Sequence, residues 1–342
     1  MTSRAIGHPT HPLDEGIVMI ATLRRRRLLA GAIGTALLAG LPATLGSPAQ
    51  AATYEASPFG YAAGTTGGSG GTTTTVNTAA GLTTAVKGTG AKTVYISGVI
   101  SLSGQIDVGS NTSVIGVGAG SGLTGGGLRV KASTNVIIRN LNISKAVGTD
   151  AITVQASTKV WIDHNDLSSD RSHGKDYYDG LLDITHGSDY VTASWNYFHD
   201  HYKVSLVGHS DKNAAEDTGK LHVTYGHNRF NNVNSRLPSV RFGTAHVYSN
   251  YYQNVSDSAV HSRMGAQVLV ERNAFAGSFE SVTTTGDSPT DGYANLYRND
   301  LGGTTTDVTR TGTFTTAPYT YDPTGAGDVA SVVTAGAGTG RI

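Results

Sequence analysis

Apolar residues recur along this chain in runs too short for helices. From Lys92 onward, β-branched and other apolar residues cluster at 94–96, 100–102, 113–117 and 128–130, separated by Gly, Ser, Asn and Asp. Short runs with side chains alternating between two faces predict strands, and the spacers predict turns. One stretch has helical spacing. In residues 77–87, Leu82, Ala85 and Val86 share a face, Asn77 stands where an N-cap belongs and Gly88 where a C′ glycine belongs, so a short helix is expected there and no other.

The runs repeat. The pattern apolar-x-apolar-x-x-Asn-x-apolar occurs at 160–167 (VWIDHNDL), 191–198 (VTASWNYF), 223–230 (VTYGHNRF) and 268–275 (VLVERNAF), with looser copies near Val247 and Leu296. Residues 136–143 are a further copy with Leu141 in the Asn place. The six asparagines are Asn165, Asn196, Asn228, Asn250, Asn273 and Asn299, spaced by 31, 32, 22, 23 and 26 residues. A period in this range marks stacked units that bury their faces only against each other. Each unit holds β runs and no helix, which excludes helical and leucine-rich repeats and predicts an all-β, right-handed, single-stranded parallel β-helix. Asparagines in line on successive rungs would hydrogen-bond up and down the stack. The helix at 77–87 would cap an open apolar end, and the two long intervals would carry loops that form a cleft. A β-sandwich also has many short strands, but gives no reason for asparagines at a near-constant phase.

The amino terminus is different in kind. Arg24 to Arg27 precede an apolar run from Leu28 to about Leu41, and Ala49-Gln50-Ala51 follows Pro42, which is the layout of a secretory signal over residues 1–51. Arginines just ahead of Leu28-Leu29 fit a twin-arginine signal as well as a Sec signal, and Met19 is an alternative start. Residues 52–342 would then be one secreted domain. Without 1–51 the chain keeps 20 basic and 23 acidic residues, a net charge of −3. A polyanionic ligand would therefore need a local cation cluster or a metal. The chain has no cysteine, so no disulfide supports it outside the cell.

Three features on consecutive rungs carry charge. The first is acidic: Asp150, then Asp179 and Asp183 in YDGLLDI. Carboxylates without His or Cys partners suit a hard cation, and Ca2+ tolerates irregular geometry better than Mg2+. In a straight strand Asp179 and Asp183 would stand about 13 Å apart, so a shared ion requires a turn, which Gly180 permits. Solvated loop carboxylates are the alternative, and Asp163, Asp166, Asp170 and Asp176 are read in that way. The second feature is Lys203. The third is NSRLPSVRFG at 234–243, where Arg236 and Arg241 bracket Pro238 and a bend can aim both into one cleft. The same arginines could instead tie down carbonyls or surface acids. His199, His201 and His209 suggest zinc only weakly and read as surface histidines; Trp161 and Trp195 read as packing residues.

Four motifs, VWIDHN at 160–165, DGLLD at 179–183, KV at 203–204 and RLPSVRFG at 236–243, resemble in order and spacing the pectate lyase family of extracellular parallel β-helix enzymes, related to the pectin lyases. The likeness runs from about Gly60 to Arg310, and its last motif is the most specific. What the resemblance implies is secreted, Ca2+-dependent β-elimination on polygalacturonate. By position, Asp150, Asp179 and Asp183 would be the Ca2+ ligands, Arg236 the base that removes the C5 proton, and Lys203 and Arg241 the groups that hold the uronate carboxylate. Some members carry another acid two residues before the first ligand; this chain has Gly148 there. The partner would be pectate, with no nucleic acid, no membrane after signal removal, and a monomeric enzyme. Three rivals remain: a pectin lyase on methylated substrate, a glycoside hydrolase on the same scaffold, and a non-catalytic polysaccharide-binding fibre.

Overall fold

The first face of the molecule is a ten-stranded sheet running from Thr72–Val76 to Tyr293–Tyr297. In this computed structural model residues 54–342 are described; the secretory-signal reading and the start at Met19 lie outside them. Successive rungs pair in parallel, as in Val160↔Val191, Val191↔Val223 and Val223↔Ala245. A second face runs from Asn142–Ser144 to Ala274–Ala276, and a third from Ile152–Gln155 to Thr305–Asp307. The two join at one long strand, Gly122–Lys131, whose first residues pair with Asn142–Ser144 and whose last pair with Ile152–Gln155. Gly125 lets that strand change direction, with φ at +81°. Parallel pairing throughout the ladder makes this a parallel β-helix and excludes the sandwich.

The repeat explains the core. Its first two apolar positions, such as Val160 and Ile162, lie buried inside the first face, and its last, such as Leu167, lies inside the second. The last position becomes aromatic along the helix, where Phe198, Phe230, Tyr252 and Phe275 stack at 4.9, 4.8 and 4.5 Å between ring centres. Between the two faces the chain turns through one residue of positive φ, among them His164, Trp195, His227 and Ser249, just before each asparagine. The turn takes a backbone N–H out of the ladder, and the asparagine replaces what is lost. Asn165 donates both its backbone N–H and Nδ2 to Asn196 Oδ1 at 3.0 and 2.9 Å, and the same double link joins Asn196 to Asn228, Asn228 to Asn250, Asn250 to Asn273 and Asn273 to Asn299. At the copy where Leu141 replaces asparagine, only its backbone N–H donates, to Asn165 Oδ1 at 3.0 Å.

The expected helix forms over Ala79–Ala85 with Leu82 and Val86 buried against the core. Its cap is Thr78 rather than Asn77, since the Thr78 hydroxyl accepts from Gly81 N at 3.2 Å, and Gly88 follows Val86, the C-cap, by two residues. A longer helix that the pattern did not predict spans Ala326–Gly336. Val329 and Val333 bury one narrow stripe against Ala274 and Tyr251, while alanine, glycine and threonine elsewhere give little periodic contrast. Trp161 and Trp195 are buried packing residues as expected, with Trp161 Nε1 donating to Ser194 at 2.9 Å.

Candidate active site

The corner between the second and third faces brings the predicted residues together rung by rung. Ala151 N donates to Gly180 O at 3.1 Å, Leu181 N to Val204 O at 2.8 Å, Val204 N to Ser235 O at 3.1 Å and Ser205 N to Arg236 O at 2.7 Å. Asp150, Asp179, Lys203 and Arg236 thus line one edge on four consecutive rungs. On the third face, Asp183 lies in Leu182–Thr185 and Arg241 in Ser239–Arg241. The turn required between Asp179 and Asp183 is present, because the strand begins only at Leu182.

Two of the three acids meet. A methyl group on Gly180 would stand 2.5 Å from Asp183 Oδ1 and 2.9 Å from Asp150 Oδ1, so both carboxylates converge over a residue that has no side chain. Gly180 N donates to Asp150 Oδ1 at 2.8 Å, and Leu206 N to Asp183 Oδ1 at 3.0 Å. Burial, aided by the Asp150 charge, pushes the Asp183 carboxyl well above the usual range, and burial likewise raises Asp150. A carboxylate pair whose charged forms are penalised together is a donor set that a hard divalent cation fits. The third, Asp179, is within electrostatic reach of both, and its carboxylate lies 3.4 Å from Lys203 Nζ. Among the described residues no three His, Asp or Glu side chains form a ready-made cage.

The cations differ in how they are held. Lys203 pairs with Asp176 at 2.9 Å as well as with Asp179. Arg241 is largely buried, with Nε donating to Asp211 and Nη1 to Gly208 O at 2.8 Å. The Arg236 guanidinium makes no hydrogen bond or ion pair among the described residues, yet lies within electrostatic reach of Asp183 and Asp176. Its backbone has φ of 65°, which turns the chain out of the second face ahead of Pro238.

Some readings need correction. Asp163 is fully buried, bonded to Arg139, His164 and Ser194 at 2.6 Å each, so it is no solvated loop carboxylate. Asp166 and Asp170 are half-buried and accept from His199 and Tyr178, whereas Asp176, exposed in its turn, fits the reading as a solvated loop carboxylate and also accepts from Lys203. Nor is His201 on the surface. It is 2% exposed, with one ring nitrogen 2.6 Å from Ser169 Oγ and the other 2.7 Å from Asp179 O; burial lowers its pKa to about 4. His199 lies between Asp166 and Asp200, and His209 stacks on His186, so the three histidines do not converge. Asp211 and Arg263, beside Arg241, were not singled out in the sequence. Asp211 ends the run VGHSD at 207–211, and its signal was only that a buried Arg241 requires a carboxylate.

A family model described as pectate lyase matches residues 30–342. The chain belongs to the pectate lyase family. It is therefore a polysaccharide lyase. A probable pectate lyase A of Aspergillus niger is 51% identical, the match covering 90% of this chain and 95% of that relative. Pectate lyase B of Colletotrichum gloeosporioides is 52% identical over 87% of this chain and 89% of its own length. Among solved structures, a pectate lyase from Bacillus sp. N165 in complex with trigalacturonate aligns with a TM-score of 0.77 and 35% identity, covering 83% of this chain and 99% of the Bacillus chain. Pectate lyase II of Xanthomonas campestris aligns with a TM-score of 0.72 and 28% identity, over 83% of this chain and 98% of that one. Among the described residues no helix is long and apolar enough to cross a membrane.

Proposed function

We propose that the chain is a secreted, Ca2+-dependent enzyme that cleaves α-1,4-linked polygalacturonate, the de-esterified form of pectin, by β-elimination. The observation that carries this reading is the Arg236 guanidinium, without a hydrogen-bond or ion-pair partner among the described residues and within electrostatic reach of Asp183 of the Asp150–Asp183 pair, while Lys203 and Arg241 both have partners. The trigalacturonate bound by the Bacillus relative supports the substrate class.

Arg236, in its neutral form, takes the proton from C5 of a uronate. The electron pair left behind forms the C4–C5 double bond, the C4–O bond breaks, and the glycosidic oxygen leaves with its electrons and takes a proton from solvent. A proton α to a carboxylate is very weakly acidic, so the negative charge that builds on that carboxylate must be met by fixed cations. Lys203 and Arg241 supply them; the substrate carboxylate displaces Asp176 from Lys203. Asp150 and Asp183, with Asp179 at the edge, would hold a Ca2+ ion, which when bound adds Lewis-acid stabilisation of the same charge. A guanidinium gives up its proton reluctantly, so a reaction that needs it neutral is expected to speed up toward alkaline pH.

Retention of the acid set favours unesterified over methylated substrate. The experiment is incubation of the purified protein with polygalacturonate, following the ultraviolet absorbance of unsaturated product with and without a Ca2+ chelator. Absorbance that disappears with chelator and returns with Ca2+ is expected. New reducing ends without absorbance would mean hydrolysis, no change would mean binding alone, and chelator-insensitive absorbance would remove the ion.

A further inference from the structure

Arg241 and Arg263 face each other on neighbouring rungs of the third face, in direct register. Two adjacent, nearly buried guanidinium groups repel, and burial together with Arg241 lowers the pKa of Arg263 to about 10. A single carboxylate lies between them. Asp211 Oδ1 accepts from Arg241 Nε and lies 3.7 Å from Arg263 Nη2. Ser288 completes the link: its Oγ accepts from Arg263 Nε at 2.7 Å and donates to the same Asp211 oxygen at 2.8 Å. Arg263 is itself fixed from the far side, with Nη2 donating to Asp287 O at 2.5 Å and Nη1 to Ser239 Oγ at 3.4 Å.

The result is a chain Arg263–Ser288–Asp211–Arg241 that ends on the substrate side. A guanidinium has five N–H bonds. In Arg241 one goes to Asp211 and one to Gly208 O, so the remaining three have no partner among the described residues. Held by Nε, the planar group cannot rotate freely, and its outer edge is left for a planar, bidentate acceptor such as a carboxylate. We propose that Asp211 is a positioning residue: anchored through Ser288 to Arg263, it holds Arg241 in the orientation that receives a uronate carboxylate. This rests on reading Arg241 as a substrate group.

The test is a double-mutant cycle with polygalacturonate as substrate and thermal unfolding as a control. Asp211→Asn is expected to lower kcat/KM about tenfold or more, in kcat as well as in KM, because a charge-assisted bond and its directing force are lost and Arg241 meets charge that builds as the C5 proton leaves. In an Arg241→Ala background the same change is expected to cost less than about twofold. Equal losses in both backgrounds would overturn the proposal, as would a loss confined to KM, which would leave the developing charge as well met as before. If Asp211→Asn does not fold, Ser288→Ala leaves every charge in place and carries the same comparison, with an expected loss of about twofold or more that vanishes without Arg241. An Arg241→Ala variant as active as the parent would overturn the substrate role itself, and with it this inference.

Discussion

At the scale of single residues, the site depends on a side chain that is missing. Gly180 does not occupy a left-handed backbone conformation, so alanine is allowed there by the main chain; what forbids it is the space taken by Asp150 and Asp183 oxygens within 2.9 Å. Gly180→Ala is therefore expected to fold, with a thermal midpoint close to the parent, while pushing the carboxylates apart. Ca2+ affinity, read by calorimetry, should fall at least tenfold. An unchanged affinity would show that this pair is not the cation site. The acids at 150, 179 and 183 were legible in the sequence as a set, but their unequal geometry was not. Lys203 pairs with both Asp179 and Asp176, and where the loop places Asp176 is something no spacing rule reports. Asp163 was misread for a similar reason: its burial follows from Arg139, one rung away, rather than from its neighbours in sequence.

At the scale of the repeated element, the asparagine ladder is both the clearest signal in the sequence and a large local source of stability. Asn228 is fully buried; it accepts from Asn196 twice at 3.0 Å and donates to Ala193 O at 2.9 Å and to Asn250 Oδ1 at 3.0 Å. Removing the amide strands several buried polar groups, each costing about 1–3 kcal/mol. Asn228→Ala is expected to lose about 3 kcal/mol or more in urea unfolding, whereas Asn299→Ala, at the partly open end of the ladder, should lose less. Equal costs at the two positions would contradict this account of the ladder. The repeat was legible because rungs in register force one phase on every asparagine. The helix Ala326–Gly336 was not, because Val329 and Val333 bury too little surface to mark a period against alanine and glycine.

At the scale of the molecule, the proposed substrate is an acidic polymer while residues 52–342 are weakly acidic, and the fold reconciles the two. Net charge of −3 over residues 52–342 gives no attraction at long range. A solenoid instead stacks one charged position per rung, so that Asp150, Asp179, Lys203 and Arg236 line up along one edge although 86 residues separate the first from the last. The motif order was readable without a structure, but not that Arg241 is fixed by Asp211 while Arg236 is left without a partner. The proposal of Arg236 as the base rests on that difference. The most direct test is the rate of unsaturated-product formation from polygalacturonate, in saturating Ca2+, for the parent and for Arg236→Lys across neutral to alkaline pH. The parent should show a rate that climbs to an alkaline optimum, and the variant should lose about 10²–10⁴-fold in kcat with KM little changed. Near-normal turnover in Arg236→Lys, or a flat or acidic profile in the parent, would contradict Arg236 as the base.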